Sequence, residues 1–497
     1  MQRQQKIRAS NIQAAIGVTE SLSTSLGPRG LDKLLITGNK TLITNDGATI
    51  LKTMSPLHPI TKILCNVAKA QDEACGDGTT SVVVLTGCLL RSISGLLERG
   101  VHPTQICRGL ERVKEYSMEY VKKIAIPIGQ NSTPDLEIND YIKSAVTSLS
   151  SKVVSTSATE MAPVAVEAVL KVKGNLRDLK VVKKMGSLED IKIHSGVVLN
   201  ASLNENPFKE KKKIVLIKFC ISAPKTNLDS KIIVNDYALM DRIIKEERAY
   251  ILDICKKIKM AGIQMIIVQK SILRESVSEL AMHFLKRLGI LVVNDVEREE
   301  MEFLERSLCV KPVSEVDLLC DKNIALAEVE LTEDILSIYK PGMPTCSVVV
   351  RASEDIILDE AERSLNDALC VVKCLVEDPY LVPGGGAIEI GISKLLAEKS
   401  LSGGDDGIIL SELGRAFEGI PYYLARNAGL NPIDIISELK GVISTKPTMG
   451  VDIRRAGVGC MVEEDVIQPL KVSRCVVSLA IETVMMILKI DDILPSI

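Results

Sequence analysis

The chain changes its hydrophobic periodicity twice, and that order of patterns constrains the fold more than any single motif does. The first third reads helical: Ile12, Ala15, Ile16, Thr19, Leu22 and Leu26 recur at helical spacing until Gly27-Pro28 breaks the stripe. Leu34 to Ile36 and Thr41 to Thr44 flank a Gly38-Asn39 turn, which predicts a short hairpin, and Asn45-Asp46-Gly47 makes a second turn. Pro103 stands where a further helix begins, and Ile106, Leu110, Val113, Met118 and Val121 carry its stripe towards Pro127. In the middle third, Ile214 to Phe219, Gln264 to Val268 and Ile290 to Val293 read as buried strands. Between the last two, Leu273, Val277, Leu280, Ala281, Phe284, Leu285 and Leu288 form a helix face capped by Gly289. Strand, helix, strand predicts a βαβ unit, and the long charged segment from Asp236 to Lys259 inside the same region has helical periodicity. Helices return over Asp359 to Leu375 and Leu410 to Asn427, and an apolar run follows from Val476 to Ile490. A chain of 497 residues holds about three domains at roughly 150 residues each, so the expected class is a multidomain protein of mixed α+β and α/β character.

Chemistry concentrates at Gly76-Asp77-Gly78-Thr79-Thr80-Ser81. This run puts a carboxylate, a flexible backbone and three hydroxyls at the mouth of an apolar helix marked by Val82, Val83, Leu85, Leu89, Leu90, Ile93, Leu96 and Leu97. The first turn of such a helix offers unpaired N–H groups and the positive end of the macrodipole to an anion. Glycines let phosphate approach the backbone, and Asp77 supplies the oxygen ligand that Mg²⁺ prefers. A magnesium-nucleotide site is one reading; a capped helix after a turn is the other, because Asp, Gly and Thr are ordinary turn and cap residues. Pro383-Gly384-Gly385-Gly386 is a second stretch of nearly bare backbone that admits a close ligand or neighbouring chain.

Charge and cysteine content exclude several classes. The 61 basic and 64 acidic residues give a formal net charge of -3, so no global field invites nucleic acid or an anionic membrane. The one dense basic run, Lys209 to Lys213 (KEKKK), reads as a solvated loop. Aromatics are 3% with no Trp, so the cores must be aliphatic. Thirteen Cys are scattered without a C-x-x-C pair; Cys370 and Cys374 share a helix face, but no second pair or His completes a familiar metal site, and they read as buried free thiols. The polar, basic start MQRQQKIRAS and the expectation that no segment is apolar for long enough to cross a bilayer point to a cytoplasmic location.

Seven stretches in order resemble the group II chaperonins, the eukaryotic cytosolic and archaeal ring chaperones. They are Thr24 to Gly30 (TSLGPRG), Thr44 to Leu51 (TNDGATIL), Ala70-Gln71-Asp72, Gly76 to Ser81, Glu362-Arg363-Ser364 with Asp367-Ala368, Gly384-Gly385-Gly386-Ala387 with Glu389, and Ile490-Asp491-Asp492. The resemblance runs from about residue 8 to residue 493. Four further stretches are similar to one subunit type within that family: Phe219 to Thr226, Asp236 to Leu252, Gln269 to Arg274 and Asp295 to Phe303.

The resemblance implies a chaperonin fold of three nested domains. Residues 1–140 and 384–497 would form a helical equatorial domain, 141–198 and 351–383 a hinge-like intermediate domain, and 199–350 an α/β apical domain. Within the apical domain, the stretch near Asn227 to Lys245 would belong to a helical lid protrusion; by its charges alone it reads as a solvated surface helix. The implied cofactors are ATP and Mg²⁺. Leu26, Gly27, Pro28, Asn45, Gly47, Gly78, Thr79, Thr80, Ser81, Gly384, Gly385, Gly386 and Gln468 would hold the nucleotide, Asp77 the metal, and Asp46 and Asp367 would act on the attacking water. Without the resemblance, Asp367 reads as a surface carboxylate on a helix. The implied partners are other chaperonin subunits in stacked eight-membered rings and unfolded polypeptide, with neither nucleic acid nor membrane.

The resemblance makes the chain an ATP-hydrolysing chaperone subunit; the alternative is a chaperonin-like scaffold without ATPase activity, against which stands the presence of Asp46, Asp77 and Asp367 together. A metabolic enzyme is disfavoured, since there is no P-loop motif, no Gly-x-Ser-x-Gly or His-Glu-x-x-His, and no clustering of His58, His102, His194 and His283. Three departures from the family pattern are expected to matter. Gln468 stands where many relatives carry an acidic residue near the nucleotide's sugar, the return around Tyr339 to Val348 is short, and little tail follows Asp491-Asp492.

Overall fold

The structure is a computed structural model that describes residues 2–37, 40–54, 58–128, 134–200, 207–223, 237–272, 274–332, 335–402 and 406–492. The expected Gly38-Asn39 turn, Leu273, residues 224–226 and the first part of the stretch expected to form the lid, 227–236, lie outside the described residues. The chain divides into two compact units, one of residues 1–176, 183–191 and 350–497, the other of residues 177–182 and 192–349.

Helices dominate the first unit. The stripe that begins at Ile12 lies on Gln2–Ser23, the hairpin pairs Lys33–Thr37 with Lys40–Thr44 in antiparallel register, and the apolar run after Gly78 is the helix Thr79–Glu98. That last helix is 20 residues long and holds an 18-residue stretch of mean hydropathy 1.6, apolar enough by length and composition to cross a membrane, which corrects the expectation that no segment is. Its Val82 to Leu85, Leu89, Leu90, Ile93 and Leu96 are instead buried in the largest core of the unit, against Leu22, Leu64, Leu110, Phe417, Val477 and Ile481. Each such aliphatic side chain contributes about 1.5–3 kcal/mol on leaving water.

Two histidines prove to be helix caps. His58 Nδ1 accepts from Ile60 N ahead of Pro59–Cys75, and His102 Nδ1 accepts from Thr104 N ahead of Pro103–Ile124, each with Pro in the first turn. The helices Pro59–Cys75, Pro134–Ser150 and Ala158–Lys171 were not anticipated from the periodicity. The segment read as one helix over 410–427 is two, Gly407–Phe417 and Gly419–Asn427. They meet at Glu418, where Gly419 packs directly on Cys88. The carboxy-terminal apolar run is the helix Leu470–Lys489, and the long helix Asp355–Glu377 covers the segment expected over 359–375.

The second unit is built on a six-stranded mixed sheet. Its strands run in the order Val197–Leu199, Leu336–Tyr339, Ile324–Leu331, Phe208–Ile217, Met265–Gln269, Leu291–Val296, the last three parallel. Alternation along one strand serves two cores: Ile214 and Leu216 join Met265 and Ile267 on one face, while Val215 and Ile217 join Ile266 and Val268 on the other. The second face is covered by the helices Tyr237–Met260 and Glu279–Arg287. The latter starts later than its stripe suggested, because Val277 bridges to Ile221 and Ser278 Oγ then caps Ala281 N. Likewise Lys209 to Lys213 is no loop but the outer part of the strand Phe208–Ile217, with Lys209 paired to Glu330 and Lys212 over the Phe208 ring.

Candidate functional site

A cavity of about 440 Å³ opens within the first unit, lined by segments from both ends of the chain. Its floor is the start of the helix Thr79–Glu98. Gly76 closes the preceding helix with φ 70° and Gly78 opens this one with φ 80°, so the chain reverses within two residues in a conformation that favours glycine. Asp77 sits between them; its Oδ1 accepts from Gly78 N at 2.6 Å, and Oδ2 has no partner among the described residues. Gln71, fully buried, donates from Nε2 to the Asp77 carbonyl at 2.7 Å and holds the turn in place. The first N–H groups of the new helix have no intrahelical acceptors and no side chain caps them, and Thr79, Thr80 and Ser81 of this first turn line the cavity.

One wall comes from Leu26, Gly27 and Pro28, whose loop is pinned where Asn427 Nδ2 donates to the carbonyls of Ser23 and Leu26, both at 2.9 Å. The opposite wall holds Gly385, Gly386, Glu389, Val451, Asp452, Met461 and Gln468. Gln468 Nε2 donates to Ser473 Oγ at 2.6 Å, which fixes the amide at the rim. Asn45 also lines the cavity and donates to the Ser151 carbonyl.

Of the residues the sequence pointed to, Leu26, Gly27, Pro28, Asn45, Asp77, Gly78, Thr79, Thr80, Ser81, Gly385, Gly386 and Gln468 share this cavity, whereas Asp46, Gly47, Gly384 and Asp367 stand behind its surface. Asp46 Oδ1 accepts from Thr79 Oγ1 at 2.8 Å, and its Oδ2 accepts from Thr49 N and Thr49 Oγ1. Gly47 lies so close to Thr80 that a Cβ there would stand 2.9 Å from Thr80 Oγ1. Gly384 N donates to the Val466 carbonyl, tying the glycine run to the segment before Gln468.

Asp367 is no surface carboxylate. It is 7% exposed, and its Oδ2 meets Lys152 Nζ at 2.6 Å. Lys152, which sequence reasoning missed, lines the cavity just beyond the helix Pro134–Ser150. A lysine after a run of serines carries no signal of burial, but Asp367 left one: it falls on the stripe Glu360, Ser364, Asp367, Val371 of a helix whose buried face is otherwise apolar or small. The same helix is clamped to the strand before Asn45, because Thr44 Oγ1 donates to Glu360 Oε1 at 3.3 Å and Arg363 pairs with Glu360.

The charges in this buried group are unequal. Burial disfavours the Lys152 cation, but Asp367, Asp46 and Asp77 together outweigh that and raise its pKa. Burial likewise acts to raise Asp46, yet the Lys152 charge and the hydrogen bonds from Thr49 and Thr79 leave it below the ordinary carboxylate range. Asp367 goes the other way: burial pushes it up to about 8, against the pull of Lys152 and with the help of the negative charge on Asp46. One lysine thus serves three carboxylates, and of Asp46 and Asp367 the latter takes up a proton more readily. Glu389, on the far wall, is also raised by burial.

No group of three His, Cys, Asp or Glu residues among the described residues is placed to hold a metal by protein ligands alone. The donors fit Mg²⁺ nonetheless, since that ion takes one or two carboxylates and completes its shell with water and phosphate oxygens.

The chain belongs to the TCP-1/cpn60 chaperonin family, whose signature spans residues 18–497. It is 49% identical over 497 residues to T-complex protein 1 subunit delta of Encephalitozoon cuniculi, covering 100% of this chain and 99% of that protein. The subunit delta proteins of Candida glabrata, 44% identical over 515 residues, and of Homo sapiens, 43% over 512 residues, are matched across 99% and 98% of this chain and 96% and 94% of their own lengths. Subunit delta is the type to which the four stretches beginning at Phe219, Asp236, Gln269 and Asp295 are similar.

Proposed function

We propose that this chaperonin-family chain is an ATP-hydrolysing subunit of a cytosolic hetero-oligomeric ring that assists the folding of other proteins. The observation that carries the reading is the burial of Asp46, Lys152 and Asp367 together behind an uncapped helix N-terminus. Burying ionised groups together is costly, and such groups with shifted proton affinities beside a cleft mark a functional site. On this reading the N–H groups and hydroxyls of Thr79, Thr80 and Ser81 receive phosphate oxygens, Leu26 to Pro28 and Gly385 to Gly386 flank the nucleotide, and Gln468 lies near its sugar. Asp77 holds Mg²⁺, which neutralises phosphate charge when bound. Asp367, with its proton affinity near neutral pH, accepts a proton from the attacking water; Asp46 orients that water from beside Thr79, and Lys152 steadies charge on the phosphoryl oxygens.

The division into an equatorial domain of residues 1–140 and 384–497, an intermediate domain of 141–198 and 351–383, and an apical domain of 199–350 belongs to the same proposal. It puts Asp367 on a hinge-borne helix, so hydrolysis would follow closure of the subunit over its nucleotide. Stacked eight-membered rings, and unfolded polypeptide held and then released into a closed chamber, complete the reading. The competing role, a scaffold without ATPase activity, is separated by two substitutions made in the assembled complex. Asp77→Ala is expected to weaken Mg²⁺-nucleotide binding itself, whereas Asp367→Ala is expected to keep binding and slow hydrolysis. Equal turnover in wild type and Asp367→Ala overturns the proposed chemistry, and no turnover in wild type favours the scaffold.

A further inference from the structure

Three consecutive residues, Thr44, Asn45 and Asp46, tie three separate pieces of the chain together behind the cavity. Thr44 ends the strand Lys40–Thr44, and Asp46 caps the helix Gly47–Thr53. Asp46 accepts from Thr79 Oγ1 at the start of the helix Thr79–Glu98, and Asn45 donates to the carbonyl of Ser151, the neighbour of the Lys152 that meets Asp367. Thr44 reaches the helix Asp355–Glu377 at Glu360. Glu360 and Asp367 lie seven residues apart on the buried face of that helix, two turns or about 10 Å along its axis.

The Thr44 hydroxyl is fully used. A hydroxyl has one proton to give and two lone pairs to share. The proton goes to Glu360 Oε1 at 3.3 Å, and the lone pairs take Asp46 N at 3.1 Å and Arg363 Nη1 at 3.4 Å. Arg363 also donates to Glu360 Oε2, so each oxygen of that carboxylate has its own partner. Thr44 and Glu360 are both buried, which leaves no room for solvent to replace a lost bond. Valine has the shape of threonine and suits a strand equally well, so packing alone does not call for the hydroxyl.

We propose that Thr44 and Glu360 are positioning residues for hydrolysis, their contact setting the spacing between Asp367 on its helix and Asp46 beside Thr79. This deepens the nucleotide reading of the cavity and rests on it. Neither residue lines the cavity, so neither touches the nucleotide. They act through the two aspartates: the hydroxyl holds the backbone that carries Asp46 through Asp46 N, and the helix that carries Asp367 through Glu360. Removing that one group frees both carboxylates from their common reference. The effect falls on rate rather than affinity, because misplacing a reacting group by about 1 Å costs up to about 10²-fold in rate.

The test is single-turnover ATP hydrolysis in the assembled complex, with occupancy and hydrolysis read from the nucleotide that this chain retains. Thr44→Val keeps the shape and removes all three bonds, whereas Thr44→Ser keeps the hydroxyl. Thr44→Val is expected to slow hydrolysis about 10- to 100-fold with nucleotide Kd unchanged, and Thr44→Ser to stay within about threefold of wild type. Weakened binding at an unchanged rate, or equal losses in the two variants, shows a merely structural role and overturns the proposal. Where Thr44→Val fails to assemble, Arg363→Gln at a partly exposed position frees Glu360 instead; the same slowing at constant Kd is expected, and an unchanged rate overturns the proposal. A wild-type rate in Thr44→Val beside a slowed Asp367→Ala overturns the positioning role and leaves the nucleotide reading standing. Equal turnover in wild type and Asp367→Ala overturns the nucleotide reading, and the positioning role with it.

Discussion

The two units of the chain bury different chemistry. Among the described residues the helical unit encloses Asp46, Lys152, Glu360, Asp367, Glu389 and Asp452, whereas the sheet-based unit encloses only hydroxyls, those of Ser276, Ser307, Thr345 and Ser347. Both units also leave apolar side chains exposed, Leu31, Ile36, Leu401 and Ile433 among them in the first. The helix Tyr237–Met260 of the second unit exposes Leu239, Met240, Ile243 and Ile244. A buried charge costs several kcal/mol unless another charge meets it, so the first unit is organised around groups that need a partner, and the second around a sheet that needs none. On the function proposed above, reaction chemistry belongs with the former.

Breaking the buried group has the largest expected effect. Lys152→Met leaves Asp367 and Asp46 facing each other without their shared cation and should cost about 3–5 kcal/mol, read as a fall in the denaturation midpoint of the subunit. A change under about 1 kcal/mol means that water already screens the group. Two glycines then sharpen the contrast. Gly385→Ala forces a side chain at φ 62° into Met461 and should cost about 1–3 kcal/mol while weakening nucleotide binding. Gly289→Ala, at φ 74° but in open space within the second unit, should cost about 1 kcal/mol and leave nucleotide binding unchanged.

A smaller, pH-dependent effect follows from Asp367. A carboxyl raised from 3.8 to about 8 by folding stabilises the fold below the lower value, and that stability is lost as pH rises towards the upper one. Asp367→Asn removes this contribution, so the variant's midpoint should gain on wild type as pH rises from 4 to 8, and a gap that does not move with pH contradicts the assignment. Smallest of all, Leu239→Ser on the exposed helix should shift stability by less than about 0.5 kcal/mol and leave ATPase unchanged.

Where a face is periodic, its element was legible. The stripes at Ile12 and Ile106, the three parallel strands and the helix start at Thr79 all lie on the elements expected of them. Boundaries failed where a tertiary contact overrode the local pattern, as at Val277, which bridges to a neighbouring segment rather than starting a helix, and at Gly419, packed on Cys88. The basic run at Lys209 misled because its charges, all exposed but for Lys212, lie on the outer part of a strand that is deeply buried only from Ile214 onward. In the cavity, Gly-rich turns announced themselves, since a bare backbone has few other uses. Asp46 and Asp367 needed the family resemblance, because a carboxylate gives no local sign of what it faces. Lys152 stayed hidden altogether, since its burial is set by Asp367, 215 positions away in the chain.

The central claim is that the buried carboxylate on the helix Asp355–Glu377 performs chemistry rather than binding. Single-turnover hydrolysis of bound ATP by the assembled complex, with Asp367→Ala beside wild type at equal nucleotide occupancy, tests it most directly. A loss of about 10²–10⁴ in rate with occupancy retained is the predicted result. Hydrolysis at the wild-type rate, or a loss explained entirely by emptied sites, would contradict it.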